Sequence, residues 1–330
     1  MLDVFKGNTF NTMALTTSIN KLPFAPSRIG QMGLFTPQPV AKTVVLVEEY
    51  NGVLTLVPTS ARGGPATLGS AGKRTCRNFA IPHLAVEDVI LADDLQDIRA
   101  FGSEDTVAGM AQVVNQRLLE HRQRMEVTQE YHKIGALHGI ILDADGATTI
   151  YNLFTEFGVS EDTVDFDFAT ATSPIREKCL QVKRYIETAL GGLVYDHIHA
   201  FCGYDFFEDL ISHATVAAAY NEYMGAIMRR NDPRSGFEYG GIIFEEYPGS
   251  VGGVSFIDHE ACRFFPVGTP NLFKVHYAPA DFVEAVNTLG LPVYAKQEPM
   301  EFGRGIKLHV QSNPLALCHI PKVLVAGTIT

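Results

Sequence analysis

Residues 103–138 read SEDTVAGMAQVVNQRLLEHRQRMEVTQEYHKIGALH, and this stretch decides the architecture. Ser103 is a candidate N-cap, and Glu104 and Asp105 favour the positive end of the helix dipole. Val107, Ala111, Val114, Leu118 and Met125 form one apolar stripe. Val127, Tyr131, Ile134 and His138 continue it at helical spacing. Arg117, Glu120, Arg122, Arg124, Glu126, Glu130 and Lys133 fall on the remaining face, where charges are normally solvated. A helix over 104–138 would be about 50 Å long. A compact enzyme rarely needs such an isolated helix, whereas an extended, plate-like subunit does.

Working toward the N-terminus, residues 43–91 read as strands that run out to a Gly-rich tip and return. Thr43–Glu49 and Val53–Val57 are rich in β-branched residues and flank Asn51-Gly52, a type I′ turn signal. Pro58–Asn78 has few large apolar residues, and Phe79–His83 and Val86–Leu91 restore apolar alternation. A projection of this kind has no core of its own. Before it, residues 1–42 are punctuated by Pro23, Pro26, Pro37 and Pro39, which favour extended backbone. Leu22, Phe24, Ile29, Met32 and Phe35 give this arm apolar anchors. The expectation is an arm that docks on another molecule.

Toward the C-terminus, Ile140–Leu142 and Thr148–Tyr151 flank a turn at Asp143–Gly146. Ser173-Pro174 opens a helix whose buried face is Ile175, Cys179, Val182, Ile186, Ala189 and Leu190, and Gly191-Gly192 stop it. His197–Cys202 is a short strand, and Asp205-x-x-Glu208 has the form of a capping box for Phe206–Ser212. A helix is expected from Thr215 to Met228. Strands follow at Gly241–Tyr247, Val254–Ile257, Leu272–Tyr277, Gly305–Gln311 and Lys322–Ile329, interrupted by a helix at Pro279–Thr288.

The 330 residues are 46% hydrophobic and 19% charged, an ordinary globular profile. No apolar run reaches the ~18 residues of a membrane span. A net charge of −11 argues against gripping nucleic acid through its phosphates. Cys76, Cys179, Cys202, Cys262 and Cys318 are dispersed, which fits free thiols in a reducing compartment.

Motifs for chemistry are thin. Thr67–Arg74 resembles a phosphate loop, but Thr67 stands where the first Gly belongs and Arg74 where Ser or Thr would hold magnesium. His197 and His199, with Cys202 and Asp205 nearby, could offer metal ligands, yet no second cluster completes a four-ligand site. Hydrogen-bonded strand histidines are the simpler reading. Asp93-Asp94, Glu245-Glu246 and Asp165/Asp167 are adjacent in sequence, which does not oppose them across a cleft. No catalytic, cofactor-binding or metal-binding residue is assigned, and no enzyme activity is expected. The rival reading is a cytosolic hydrolase using His197, His199 and nearby acids.

The ordered set of elements resembles the major capsid protein E family of lambda-like tailed bacteriophages, with its Hong Kong 97 type fold. The resemblance rests on Lys42–Val47, Leu54–Pro58, Ser60–Gly64, the basic stretch Lys73–Asn78 and Phe79–Leu84. Phe264–Thr269, Tyr277–Asp281, Gln311–Leu315 and Ile320–Val325 continue it. It implies an α+β shell subunit in four parts. Residues 1–42 would be the N-arm and 43–91 an extended loop over a neighbour. Residues 92–175 would form a peripheral domain with the spine helix 104–138. Residues 176–330 would form mostly an axial domain, with a return strand to the peripheral domain. Copies would assemble as hexamers and pentamers into the icosahedral head of a virion, in the host cytoplasm, around double-stranded DNA. A separate scaffold protein, a portal and a small decoration protein are the implied partners; no membrane is involved. Some relatives crosslink a loop lysine, but nothing transfers that chemistry to Lys73. An encapsulin-like shell is the alternative with the same fold.

Overall fold

The computed structural model describes residues 15–16, 19–20, 27–50, 74–93, 110–223, 234, 236–247, 249–251 and 253–329. The first element described from end to end is the short helix α1 (Arg28–Met32), capped by the Ser27 side chain and ended by Gly33 at φ +61°. Next come β1 (Thr36–Pro39), β2 (Val44–Tyr50), β3 (Arg74–Ala80) and β4 (Leu84–Leu91). The long helix α2 (Met110–His138) has 29 residues, about 43 Å. The expected first turn at 103–109 lies outside the described residues. The hairpin of β5 (Ile140–Leu142) and β6 (Thr149–Asn152) is followed by α3 (Leu153–Phe157) and β7 (Asp162–Asp165). Then come α4 (Ile175–Leu190), β8 (His197–Cys202), α5 (Tyr204–Ser212) and α6 (Ala214–Tyr223). The remainder is β-rich. It holds β9 (Phe237–Tyr239), β10 (Ile242–Glu246), β11 (Ser250–Val251), β12 (Val254–Ser255) and β13 (Ala261–Val267). The chain ends with β14 (Phe273–Tyr277), β15 (Tyr294–Pro299), β16 (Gly305–Ser312), β17 (Pro314–Cys318) and β18 (Val325–Thr328).

The largest sheet is mixed, in the order β7-β18-β13-β8-β10-β9. Its central strands carry Ile198, Ala200, Phe201, Phe264 and Phe265, all buried. Helix α4 covers it with Ile175, Cys179, Val182, Ile186 and Leu190, the face predicted from spacing. A three-stranded sheet, β15-β16-β4, packs against the N-terminal half of α2. A second, β1-β14-β17, lies nearer its C-terminal half. Pro37 and Pro39 sit in β1, which is an edge strand and tolerates the lost donors.

One helix therefore serves two cores. Val114 and Leu118 pack with Ile90, Val293, Ile306 and Val310, while Ile134, Ala136 and Leu137 belong to the main core. Val114, Leu118, Met125 and Ile134 are buried as their spacing predicts, whereas Val127 faces out.

Four expectations need correction. The strand 44–50 pairs with Arg74–Ala80, so Arg74–Asn78 is strand and not Gly-rich tip; Asn51-Gly52 and Val53–Val57 lie outside the described residues. Asp205 and Glu208 form no capping box, because Gly203 holds the N-cap position without a side-chain bond. Pro279–Thr288 contains only a single 3-10 turn, Val283–Ala285. Strands 261–267, 294–299 and 314–318 went unpredicted: β17 is buried throughout and β13 carries Pro266, so neither alternates in the sequence. Met228 and its neighbours, the expected end of the helix begun at Thr215, lie outside the described residues.

Candidate functional site

Between its two cores, α2 buries polar side chains: His121, Arg122, Glu126, Gln129, Glu130 and His132. Arg122, Glu126 and Glu130 were expected on a solvated face, and the structure corrects this. A buried charge must be paired or solvated by fixed dipoles. Arg122 Nε donates to Glu126 Oε1 at 2.6 Å, and its Nη1 donates to the carbonyl of Ile19. Gln129 Nε2 donates to Ser312 Oγ at 3.0 Å and its Oε1 accepts from Tyr277 at 3.1 Å. Glu130 Oε1 accepts the Ile29 N–H at 2.8 Å and the Tyr247 hydroxyl at 3.2 Å. Burial pushes the Tyr247 phenol far up, and the Glu130 charge beside it adds to this.

A second carboxylate holds the same arm. Glu245 on β10 accepts from Arg28 through both oxygens, with Arg28 Nη2 at 2.6 Å from Oε2, and lies 3.1 Å from His199 Nε2. Burial alone would raise the Glu245 carboxyl; the bonds from His199 and Arg28 outweigh it and hold it below the ordinary value. Further along, Asn20 Nδ2 donates to the Val293 carbonyl at 2.8 Å, and Ala295 N donates to Thr16 Oγ1 at 3.2 Å. Leu15, Ile19 and Ile29 are buried on the body of their own chain, and Met32 and Phe35 pack there too. This corrects the expectation that these arm anchors reach another molecule; Leu22 and Phe24 lie outside the described residues.

The histidines, cysteines and paired acids that could carry chemistry are dispersed into structural roles. His199 bonds Glu245, its ring 6.1 Å from that of His197. Cys202 Sγ lies 3.3 Å from Cys262 Sγ on the neighbouring strand, and Asp205 sits in the first turn of α5. Among the described residues no group of three or more His, Cys, Asp or Glu could hold a metal. Glu245 and Glu246 are consecutive on a strand and point to opposite faces. Asp165 accepts the Asp167 N–H at 3.1 Å. Asp93 is exposed, and Asp94 and Thr67–Lys73 lie outside the described residues. All five cysteines are free and four are buried. No described helix is long and apolar enough to cross a membrane.

The surface carries apolar edges instead. Leu46 and Val44 point outward from the β2–β3 ribbon, whose other face buries Val45, Val47 and Phe79. Phe79 meets Tyr151 and Phe157, and Arg77 Nε donates to the Glu156 carbonyl at 2.7 Å, so the ribbon root is fixed to α3. Val283, Val286 and Leu289 recur at the spacing of a 3-10 turn, and Val283 is 86% exposed. Phe302 is 91% exposed at the turn between β15 and β16. A cleft of about 670 Å³ opens between the ribbon root and the loop after β14. Lys42, Val44, Ile81, Asp281 and Val286 line it, and His83 Nδ1 and Asn313 Oδ1 meet at its floor, 2.8 Å apart. Expecting a helix over 279–288 hid this loop from the sequence, and a lone Phe in a polar turn gives no periodic signal.

The sequence profile of the phage major capsid protein E family matches residues 11–329. The chain belongs to that family. It is 29% identical to the major capsid protein of Pseudomonas phage KPP10, over 97% of each chain. It is 24% identical to that of Salmonella phage Felix O1, over 98% of each. The crystal structure of a prophage capsid protein from E. coli CFT073 superposes with a TM-score of 0.61 at 13% identity, covering 97% of this chain and 99% of that one. The fold is thus the α+β Hong Kong 97 type, and this capsid protein is a structural component of the tailed-phage head, built from many copies. Membership of the capsid family favours neither the encapsulin-like nor the hydrolase alternative.

Proposed function

We propose that copies of this chain close as hexamers and pentamers into an icosahedral head around double-stranded DNA. In this reading residues 1–42 are the N-arm and 43–91 the extended loop. Residues 92–175 form the peripheral domain with the spine helix, and 176–330 form mostly the axial domain. Strand 305–312, paired with 84–91, is the return strand. The chain works by assembly and not by catalysis. A separate scaffold protein and a portal act with it, and a decoration protein joins outside.

The observation that carries the reading is the family match across residues 11–329. Val44 and Leu46, side by side on the outward face of the β2–β3 ribbon, support it as apolar surface open to a neighbouring copy. The test is negative-stain electron microscopy of the full chain, expressed alone and with a candidate scaffold protein. Closed shells with local six-fold and five-fold vertices are expected. A stable monomer or small ring under both conditions would overturn the proposal.

A further inference from the structure

Phe302 occupies a left-handed backbone conformation, φ +60° and ψ 12°. A bulky L-residue is strained there, and such strain persists where the position serves a function. The residue is 91% exposed, so none of the described residues buries it in that conformation. Arg304 stacks beside it, its Cζ 5.8 Å from the ring centroid, and Glu301 precedes it. The tip therefore offers an apolar knob between a carboxylate and a guanidinium, all three exposed.

The cleft at the ribbon root offers the complement. Its apolar wall is Val44, Ile81 and Val286, and its exposed ionic groups are Lys42 and Asp281. This cation and anion complement the carboxylate and guanidinium that flank the Phe302 ring. Knob and cleft cannot meet within one chain. The tip joins β16 at Gly305, opposite Leu91, whereas the cleft adjoins its far end, where Ser312 faces Leu84. Eight residues of extended strand separate the two ends by about 24 Å.

We propose that Phe302 of one copy seats in the Val44–Ile81–Val286 cleft of a second copy, as a head-to-tail contact. Such a contact uses two different surfaces of each chain and propagates into rings or lattices rather than stopping at a dimer. Its repetition around a shell makes a modest individual contact collectively strong.

The inference rests on the shell reading, and the test separates the two. Two variants in a C76S background, F302C and V286C, are co-expressed and treated with a short bismaleimide. A crosslinked dimer is expected when both are present and not with either alone. F302G should relieve the strained backbone and raise the melting temperature of the unassembled chain, yet lower particle yield at least tenfold. The charge reversal R304E should lower yield similarly, and D281K added to it should restore yield. Particles that contain both F302C and V286C copies yet give no crosslinked dimer, or F302G particles at wild-type yield, overturn the proposed contact and leave the shell reading standing. A different protein in the cleft would also abolish the crosslink and so overturns it. A wild-type chain that never forms particles sinks both.

Discussion

The Glu130 side chain, in the middle of the long helix, accepts the backbone N–H of Ile29 at 2.8 Å, joining residues 101 positions apart in sequence. The first turn of a helix leaves N–H groups without partners, and α1 is too short to satisfy its own. The spine helix thus caps the arm helix. Because the Tyr247 hydroxyl shares the same oxygen, one carboxylate organises the arm, the helix and the large sheet.

Removing that carboxylate should be costly. Glu130→Ala leaves the Ile29 amide and the Tyr247 hydroxyl without their acceptor, and each unsatisfied buried donor costs about 1–3 kcal/mol. We expect a loss of about 2–4 kcal/mol in a urea melt of the soluble chain. A change below half a kilocalorie would mean that the capping bond contributes nothing.

The Arg28–Glu245 pair should matter less than a fully buried one, because the Arg28 side chain is 38% exposed and partly screened. Arg28→Ala leaves the buried Glu245 carboxylate with His199 alone and is expected to cost about 1–3 kcal/mol, and Glu245→Ala, which leaves Arg28 to water, no more than that. A double-mutant cycle between the two reads the coupling directly. Purely additive losses would show that the two groups do not interact.

Acid should weaken the fold in two stages. Burial lowers His276 and His319 to about 4, with Lys274 contributing to both, and lowers His138 to about 3 with help from Arg263. The folded protein keeps these rings neutral, while the unfolded chain protonates them at the ordinary value of 6.5. Stability is therefore full above pH 6.5 and falls as pH drops toward 4. Glu245 works in a lower window: its depressed carboxyl stabilises above its ordinary 4.5 and is lost as pH falls through the folded-state value. Calorimetry from pH 7 to 3 should show both declines. His276→Leu should recover about 1–3 kcal/mol at pH 4 relative to its effect at pH 7. An identical effect at both values would count against the histidine assignment.

Gly139 links the spine helix to the β5–β6 hairpin at φ +74°. A Cβ there would run into the Phe154 ring, besides occupying a backbone region that suits glycine. Gly139→Ala should destabilise by about 2–4 kcal/mol or abolish soluble expression. Gly158→Ala, also at positive φ but with open space around it, is the control and should cost about 1 kcal/mol.

Local pattern determined much of this molecule before any packing was known. The spacing of Val114, Leu118 and Ile134 identified the spine helix, and Ile175 to Leu190 identified α4 with its buried face. The ordered elements also identified the capsid family. Period and propensity act over a few residues, so they report an element and its apolar face. They do not report what the opposite face meets. Arg122, Glu126 and Glu130 have the composition of a solvated face, yet the arm and the Tyr247 hydroxyl take the place of water around them. The same limit hid the partner of strand 44–50, which is 74–80, and the placement of 84–91 beside 305–312. Hydrogen bonds between distant strands leave no periodic trace in either one. Only the tertiary structure decides which backbone edge and which buried charge find each other, because that choice depends on the whole chain closing around two cores at once.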